Sequence, residues 1–226
     1  MRIVLLGPQG SGKGTQSERL SALTGARHIS VGDLVRNEIR ADTPLGRSIR
    51  AYNDRGELVP DPLIAELIRP ILVTEHNWIL DGFPRDLEQA RALDAELKRE
   101  NLGLDKVVAL EAPDDVLIER LAGRRQSAST GAIYHVVHNP PPTSDPGPFV
   151  QRVDDAPDQI RRRLEIYHDT TEPLKEYYDR QGLLADVDAD GPIDEVTHRI
   201  LNALGISPSQ DRNAEPGEPS RPQPAR

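Results

Sequence analysis

Residues 7–15 read Gly7-Pro8-Gln9-Gly10-Ser11-Gly12-Lys13-Gly14-Thr15, directly after the apolar run Ile3-Val4-Leu5-Leu6. That placement makes a phosphate-binding loop of a short motif. The glycines let the chain wrap closely around an anion. Where such a loop passes from strand to helix, its free backbone N–H groups and the helix dipole converge on bound phosphates, and Lys13 adds a positive charge on a flexible stem. The implied ligand is a nucleoside triphosphate. Gly14 stands where Ser or Thr usually follows the lysine, so the hydroxyl near the metal falls to Thr15. A glycine-rich turn that binds nothing is the competing reading. The strand before the loop and the amphipathic run 16–24 after it argue against that reading.

Further chemistry is carried by acidic and basic residues beyond the loop. Asp81 ends the run Trp78-Ile79-Leu80, which places a carboxylate at the carboxyl end of a central strand, where a magnesium-associated acid is needed. Asp33, in Ser30-Val31-Gly32-Asp33, fits either a helix N-cap or the surroundings of a metal, and the two roles can coexist. Gly82-Phe83-Pro84-Arg85 holds an arginine in a proline turn just past the Asp81 strand. Phosphoryl transfer between two nucleotides brings two polyanions together and needs positive charge on both sides of the migrating group. Lys13, Arg36, Arg85, Arg124, Arg152 and Arg163 are the candidates. Arg161 and Arg162 read instead as a solvated helix face.

The elements that must position these residues are legible in outline. Five short apolar runs, 2–6, 28–30, 78–81, 106–110 and 183–187, recur between helical stretches. The first and third are almost unbroken by polar residues, as in parallel strands buried on both faces. The alternation predicts an α/β fold, a doubly wound five-stranded parallel sheet with helices on both faces. Asp61-Pro62 predicts a cap and a first-turn proline, and Pro113 with Asp114 and Asp115 opens a helix running to Gly123. Two segments exceed the simple alternation. Residues 30–59 hold two helical runs, 33–41 and 44–53; residues 123–155 carry Thr130-Gly131, Pro140-Pro141-Pro142 and Pro146-Gly147-Pro148, which suits an inserted hairpin or lid. Beyond Ile206 the chain is rich in Pro, Glu, Ser and Arg without apolar periodicity, so 206–226 is predicted to be a disordered tail.

Composition sets limits. A chain of 226 residues can bury a full core in one domain with small insertions. Its net charge of −9 disfavours bulk attraction to nucleic acid or to an anionic membrane, so a phosphate site must be a local basic cluster. The absence of cysteine excludes disulfides and thiolate zinc sites and fits a reducing cytosol. With no stretch of bilayer-spanning length and no signal-peptide pattern, a soluble, cytoplasmic, monomeric protein is expected.

Taken together, several segments resemble adenylate kinases, within the nucleoside monophosphate kinases, in the long-lid form but without zinc cysteines. These are GPQGSGKGTQ at 7–16, SVGDLVR at 30–36, GELV at 56–59, DGFPR at 81–85 with Gln89, Arg120, Gly123-Arg124-Arg125, Tyr134-His135, Asn139-Pro140-Pro141, and Arg152 with Asp154-Asp155. The resemblance covers residues 1–205. It implies a core sheet, a monophosphate-binding insertion at 30–59 and a lid at 123–155. It also implies reversible transfer from Mg-ATP to AMP. By the same resemblance Gly10, Ser11, Gly12, Lys13, Gly14 and Thr15 hold ATP phosphates, and Arg120, Arg124, Ile133, Tyr134 and Gly191 complete the ATP site. Val31, Arg36, Glu57, Leu58, Val59, Gly82, Phe83, Pro84, Arg85, Gln89, Arg152 and Arg163 would hold AMP, with Gln89 reading the adenine edge. Lys13, Arg85, Arg124, Arg152 and Arg163 would neutralise the transferring group, with Mg²⁺ held through phosphates and water near Thr15, Asp33 and Asp81.

The sequence departs from the family at identifiable points. Gln9 replaces a frequent proline, Val31 a usual threonine, and His138 an aromatic residue that often stacks on adenine; the stretch 142–151 is short. In place of lid cysteines, Gln126, Ser127, Ser129, Thr130 and Asp145 are expected to form a hydrogen-bonded substitute, and no zinc site is expected from His135 and His138 alone. Two other functions compete. A UMP/CMP kinase shares the loop and the arginines but usually has a short lid. A regulatory P-loop switch would show an Asn-Lys-x-Asp segment, absent here, and would not need Arg36, Arg85 and Gln89 for a second nucleotide.

Overall fold

The computed structural model describes residues 1–53, 59–152 and 155–206. Strand β1 (Arg2–Leu6) leads through the glycine-rich loop into α1 (Lys13–Thr24), followed by β2 (Arg27–Ser30), α2 (Val31–Ala41) and α3 (Pro44–Asn53). Then come α4 (Asp61–Thr74), β3 (Trp78–Asp81), α5 (Leu87–Arg99), β4 (Lys106–Glu111) and α6 (Asp114–Gly123). A small unit of β5 (Arg124–Ser127), β6 (Ile133–His135) and β7 (Phe149–Val150) intervenes before α7 (Pro157–Ile166), a π-helical turn (Tyr167–Thr171), α8 (Leu174–Asp179), β8 (Leu184–Asp188) and α9 (Ile193–Ala203).

The main sheet has the order β2-β3-β1-β4-β8 and every pairing in it is parallel. Side chains alternate across β1, and both faces are covered. Val4 and Leu6 pack with Ile68, Leu72, Leu93 and Tyr178 on one side, while Ile3 and Leu5 pack with Leu20, Val196 and Ile200 on the other. Ile3, Val4, Leu5 and Leu6 are all fully buried or nearly so, which accounts for the unbroken apolar run. Strand limits differ from the sequence expectation by a residue or so: β2 begins at Arg27, β4 continues to Glu111, and β8 covers 184–188.

Two helix starts are corrected. α2 is capped by Ser30, whose hydroxyl accepts from the Asp33 amide at 3.3 Å, so Asp33 lies in the first turn and is not the cap. α4 follows Pro60 with no side-chain cap, and the Asp61 carboxylate instead accepts from Gln89 Nε2 at 2.8 Å. The insertion after α6 is an antiparallel sheet of order β6-β5-β7. Among the described residues, no helix is long and apolar enough to cross a membrane. The expected tail from 207 onward lies outside the described residues.

Candidate active site

The carboxyl ends of β1, β2, β3 and β8 border one cleft of about 970 Å³. The glycine-rich loop forms its floor. Gly10 has φ +88°, and a Cβ there would lie 2.9 Å from the Leu117 carbonyl oxygen, so the loop packs against α6 only because the side chain is missing. Gly12, at φ +90°, takes the N-cap position of α1 and frees the first-turn amides to face the cleft. Lys13 Nζ donates to the carbonyls of Gly7 at 2.7 Å and Pro8 at 2.8 Å. Burial lowers the Lys13 pKa to about 8; Arg85, Arg163 and Arg124 push the same way, and Asp81 opposes them.

Asp81 stands at the end of β3, in register with Leu5 of β1 and Ser30 of β2. Its Oδ2 lies 3.8 Å from where a Cβ on Gly14 would be, and 3.8 Å from His28 Nε2. The turn that follows is tied down from several directions. Arg85 Nε donates to the Gly82 carbonyl at 2.9 Å, the Arg85 amide donates to Gln89 Oε1 at 2.8 Å, and Thr171 Oγ1 donates to the Arg85 carbonyl at 2.7 Å. Burial and the neighbouring Arg163 lower the Arg85 pKa, opposed by Asp81 and assisted by Arg36. Asp33 pairs with Arg36. Burial alone would raise the Asp33 pKa, but bonds from Ser30 and Arg36 and the charge of Arg152 outweigh it and lower it.

Of the residues singled out in the sequence, Gly10 to Thr15, Asp33, Arg36, Asp81, Gly82, Pro84, Arg85, Arg120, Arg124, Ile133, Tyr134, Arg152, Arg163 and Gly191 all line this one cleft. Val31, Phe83 and Gln89 are 3 %, 4 % and 3 % exposed and do not. Val59 packs on the core beside Val31. Glu57, Leu58 and Asp154 lie outside the described residues. Arg120 Nη1 donates to the Ala189 carbonyl at 3.0 Å, and Arg152 Nε to Gln126 Oε1 at 3.0 Å.

The hydrogen-bonded substitute expected in place of cysteines is centred on Asp145. Its carboxylate accepts from Ser127 Oγ at 2.8 Å, Thr130 Oγ1 at 2.9 Å, Tyr134 OH at 2.9 Å and the Gly147 amide at 2.9 Å, with Ser129 at 3.4 Å. Gln126, expected in this cluster, is not in it; its amide reaches the Gly131 carbonyl and Arg152 instead. His138 stacks on His135 with ring centroids 4.5 Å apart. Among the described residues no three His, Asp or Glu side chains group as metal ligands. Unforeseen from the sequence were Thr170 and Thr171, which border the cleft from the π-helical turn, and the buried contact of Gln16 with Thr197. A lone threonine on a helix gives no periodic or motif signal, and Gln16, though it closes the segment 7–16, carries no sign of a partner on α9.

Comparison with known proteins agrees with this geometry. The family model described as adenylate kinase matches residues 5–183. An adenylate kinase of Streptomyces coelicolor is 44% identical over 213 residues, 90% of this chain and 98% of the relative. One from Caldicellulosiruptor saccharolyticus is 41% identical over 214 residues, 91% of this chain and all of the relative. One from Salinibacter ruber is 43% identical over 207 residues, 90% of this chain and 98% of the relative. With the loop, the Asp81 strand and the ring of arginines at one cleft, and a match running along nearly the whole chain, the protein belongs to the adenylate kinase family.

Proposed function

We infer that the chain catalyses reversible phosphoryl transfer from Mg-ATP to AMP, giving two molecules of ADP. The observation that carries this reading is the convergence of Lys13, Arg36, Arg85, Arg124, Arg152 and Arg163 on a single cleft, in a chain whose net charge is −9. Cations on several sides suit two polyanions meeting head to head, whereas a simple nucleotide switch needs them around one.

The donor phosphates bind at Gly10 to Thr15, where loop amides and Lys13 face the cleft, and the donor nucleoside lies toward Arg120, Arg124, Ile133, Tyr134 and Gly191. The acceptor lies toward Arg36, the Gly82-Phe83-Pro84-Arg85 turn and Gln89, with Val31 and Val59 behind it; by the family resemblance Glu57 and Leu58 also belong to the acceptor site. Gln89 keeps one amide N–H and one carbonyl lone pair beyond its bonds to Asp61 and Arg85. Lys13, Arg85, Arg124, Arg152 and Arg163 hold the reacting oxygens in line and neutralise charge that spreads over them. No general base is required. Thr15, Asp33 and Asp81 offer only hard oxygen donors beside the phosphate loop, which suits magnesium held through phosphates and water. The ion supplies charge neutralisation between the phosphates when bound. Residues 30–59 and 123–155 act as the acceptor-binding insertion and the lid, closing to exclude water as a competing acceptor. We assign the chain to the cytoplasm as a monomer without nucleic-acid or membrane partners, and the tail to no catalytic role.

A coupled assay of ADP formation from ATP with AMP, GMP, CMP or UMP tests the reading. AMP is expected to give the highest kcat/KM. A preference for CMP or UMP would overturn it in favour of a pyrimidine nucleotide kinase.

A further inference from the structure

The loop after β8 forms one wall of the cleft through Ala189, Asp190, Gly191, Pro192 and Ile193. Residues 189–192 are irregular backbone and Ile193 opens α9, so contacts must hold this segment beside the phosphate loop. Two of its ties are solvent-exposed: Arg19 pairs with Asp194, and Arg199 donates to the carbonyls of Asp188 and Asp190 at 2.9 and 2.6 Å. Exposed charged contacts of this kind are screened and contribute little. Besides the backbone bond from the Ala189 amide to the Glu111 carbonyl at 2.6 Å, and the Arg120 bond to the Ala189 carbonyl, one tie is a buried contact between side chains of two helices. Gln16, the residue after Thr15, is 2 % exposed, and Thr197 on α9 is 3 % exposed. Gln16 Nε2 donates to the Ile193 carbonyl at 3.0 Å, and Thr197 Oγ1 lies 2.8 Å from Gln16 Oε1 and 2.9 Å from that same carbonyl. The three groups close a small polar triangle between the phosphate-loop helix and the wall. The Gln16 and Thr197 side chains are both buried, so losing one leaves the other's polar atom short of a partner.

We propose that Gln16 and Thr197 are positioning residues that fix the Ala189–Ile193 wall relative to the phosphate loop, and so set affinity for the donor nucleotide without touching the reacting atoms. This rests on the reading of the cleft given above, in which Gly191 and Arg120 lie on the donor side. Arg120, which donates to Ala189, ties the same wall to α6, so a shift of the wall displaces a donor-side arginine as well. The acceptor side, at Arg36 and Arg85, is held by separate contacts and is insulated from the change.

The test compares Thr197→Val, Gln16→Met, the double variant and Thr197→Ser with the unmodified chain, measuring kcat, KM for ATP, KM for AMP, Tm and the Kd of ATP by calorimetry. Each single apolar variant should raise KM and Kd for ATP about five- to tenfold, as expected for one unmet buried hydrogen bond. KM for AMP and kcat should stay within about twofold, and the double variant should be no worse than about twice either single one. Thr197→Ser, which keeps the hydroxyl, should restore ATP affinity. A fall in Tm with unchanged ATP affinity, or equal losses on donor and acceptor sides, would overturn the proposal. Calorimetry reads ATP affinity without turnover, so failure of the unmodified chain to form ADP would count against the functional reading and leave this test standing.

Discussion

Arg124 and Asp155 close the base of the three-stranded unit. Arg124 opens β5 directly after α6, Asp155 stands just before α7, and the guanidinium grips the carboxylate through both Nε, at 2.8 Å, and Nη2. The Asp155 side chain is fully buried, so the pair fixes where the insertion leaves and re-enters the core. It also holds an arginine of the cleft in place.

Asp155→Ala should therefore do two things at once. Removing Asp155 takes away both hydrogen bonds of the Arg124 guanidinium, whose side chain is 18 % exposed, at a cost of about 1.5–3 kcal/mol, and it frees Arg124 from its orientation. Urea denaturation should show the stability loss, and KM for ATP should rise in the folded variant. A variant as stable as the parent would show that the pair is dispensable.

The Asp145 cluster gives the three-stranded unit a defined acid limit. Burial would raise this carboxyl, but the hydrogen bonds from Gly147, Ser127, Thr130 and Tyr134 outweigh it and hold the pKa at about 2, below the ordinary 3.8. A depressed pKa contributes stability above the unfolded value and loses it as pH falls, here between about 4 and about 2. Proteolysis within 124–150 should rise over that window, and Asp145→Asn should be susceptible at all pH values. Because the cluster is built from hydroxyls and one carboxylate, dialysis against a strong chelator should leave Tm unchanged.

Lys13 sets an alkaline limit on donor binding. With its pKa lowered to about 8, the free enzyme loses the ammonium as pH rises through that value, whereas bound polyphosphate favours the charged form. The Kd of ATP should weaken by about tenfold between pH 7 and pH 9. In Lys13→Met the affinity should be lower and nearly flat over the same range. An unchanged slope in the variant would assign the titration to another group.

Arg85→Ala should lower kcat by about two to three orders of magnitude while the protein stays folded, as when a transition-state contact is removed. Its backbone bonds to Gln89 and Thr171 survive the substitution, so the turn keeps its shape. A rise in KM for AMP with kcat intact would make Arg85 a binding residue only.

The parts of this architecture legible in the sequence are those fixed locally. Strands β1 and β3 stand out because burial on both faces demands unbroken apolar runs, and the phosphate loop because only glycine meets its backbone needs. Caps were read less well. Asp33 and Asp61 have the right chemistry, but the helix begins where the preceding chain leaves the sheet or proline permits, and Ser30 and Pro60 occupy those positions. Asp145 could be picked out as a polar centre, but the recruitment of Tyr134 depends on how β6 folds back on β5. The contact of Gln16 with Thr197 joins residues 181 positions apart, and no local pattern carries such information.

The strand order also settles when the site comes into being during synthesis. The phosphate loop is made within the first fifteen residues and belongs to the central strand, yet β8 docks only at the far edge, on β4. A nascent chain still short of Ile193 thus holds the phosphate-binding turn with one wall absent. The cleft is completed only when the loop after β8 has left the ribosome, so a polypeptide still short of it presents a nucleotide-binding loop without the enclosure that would let it act.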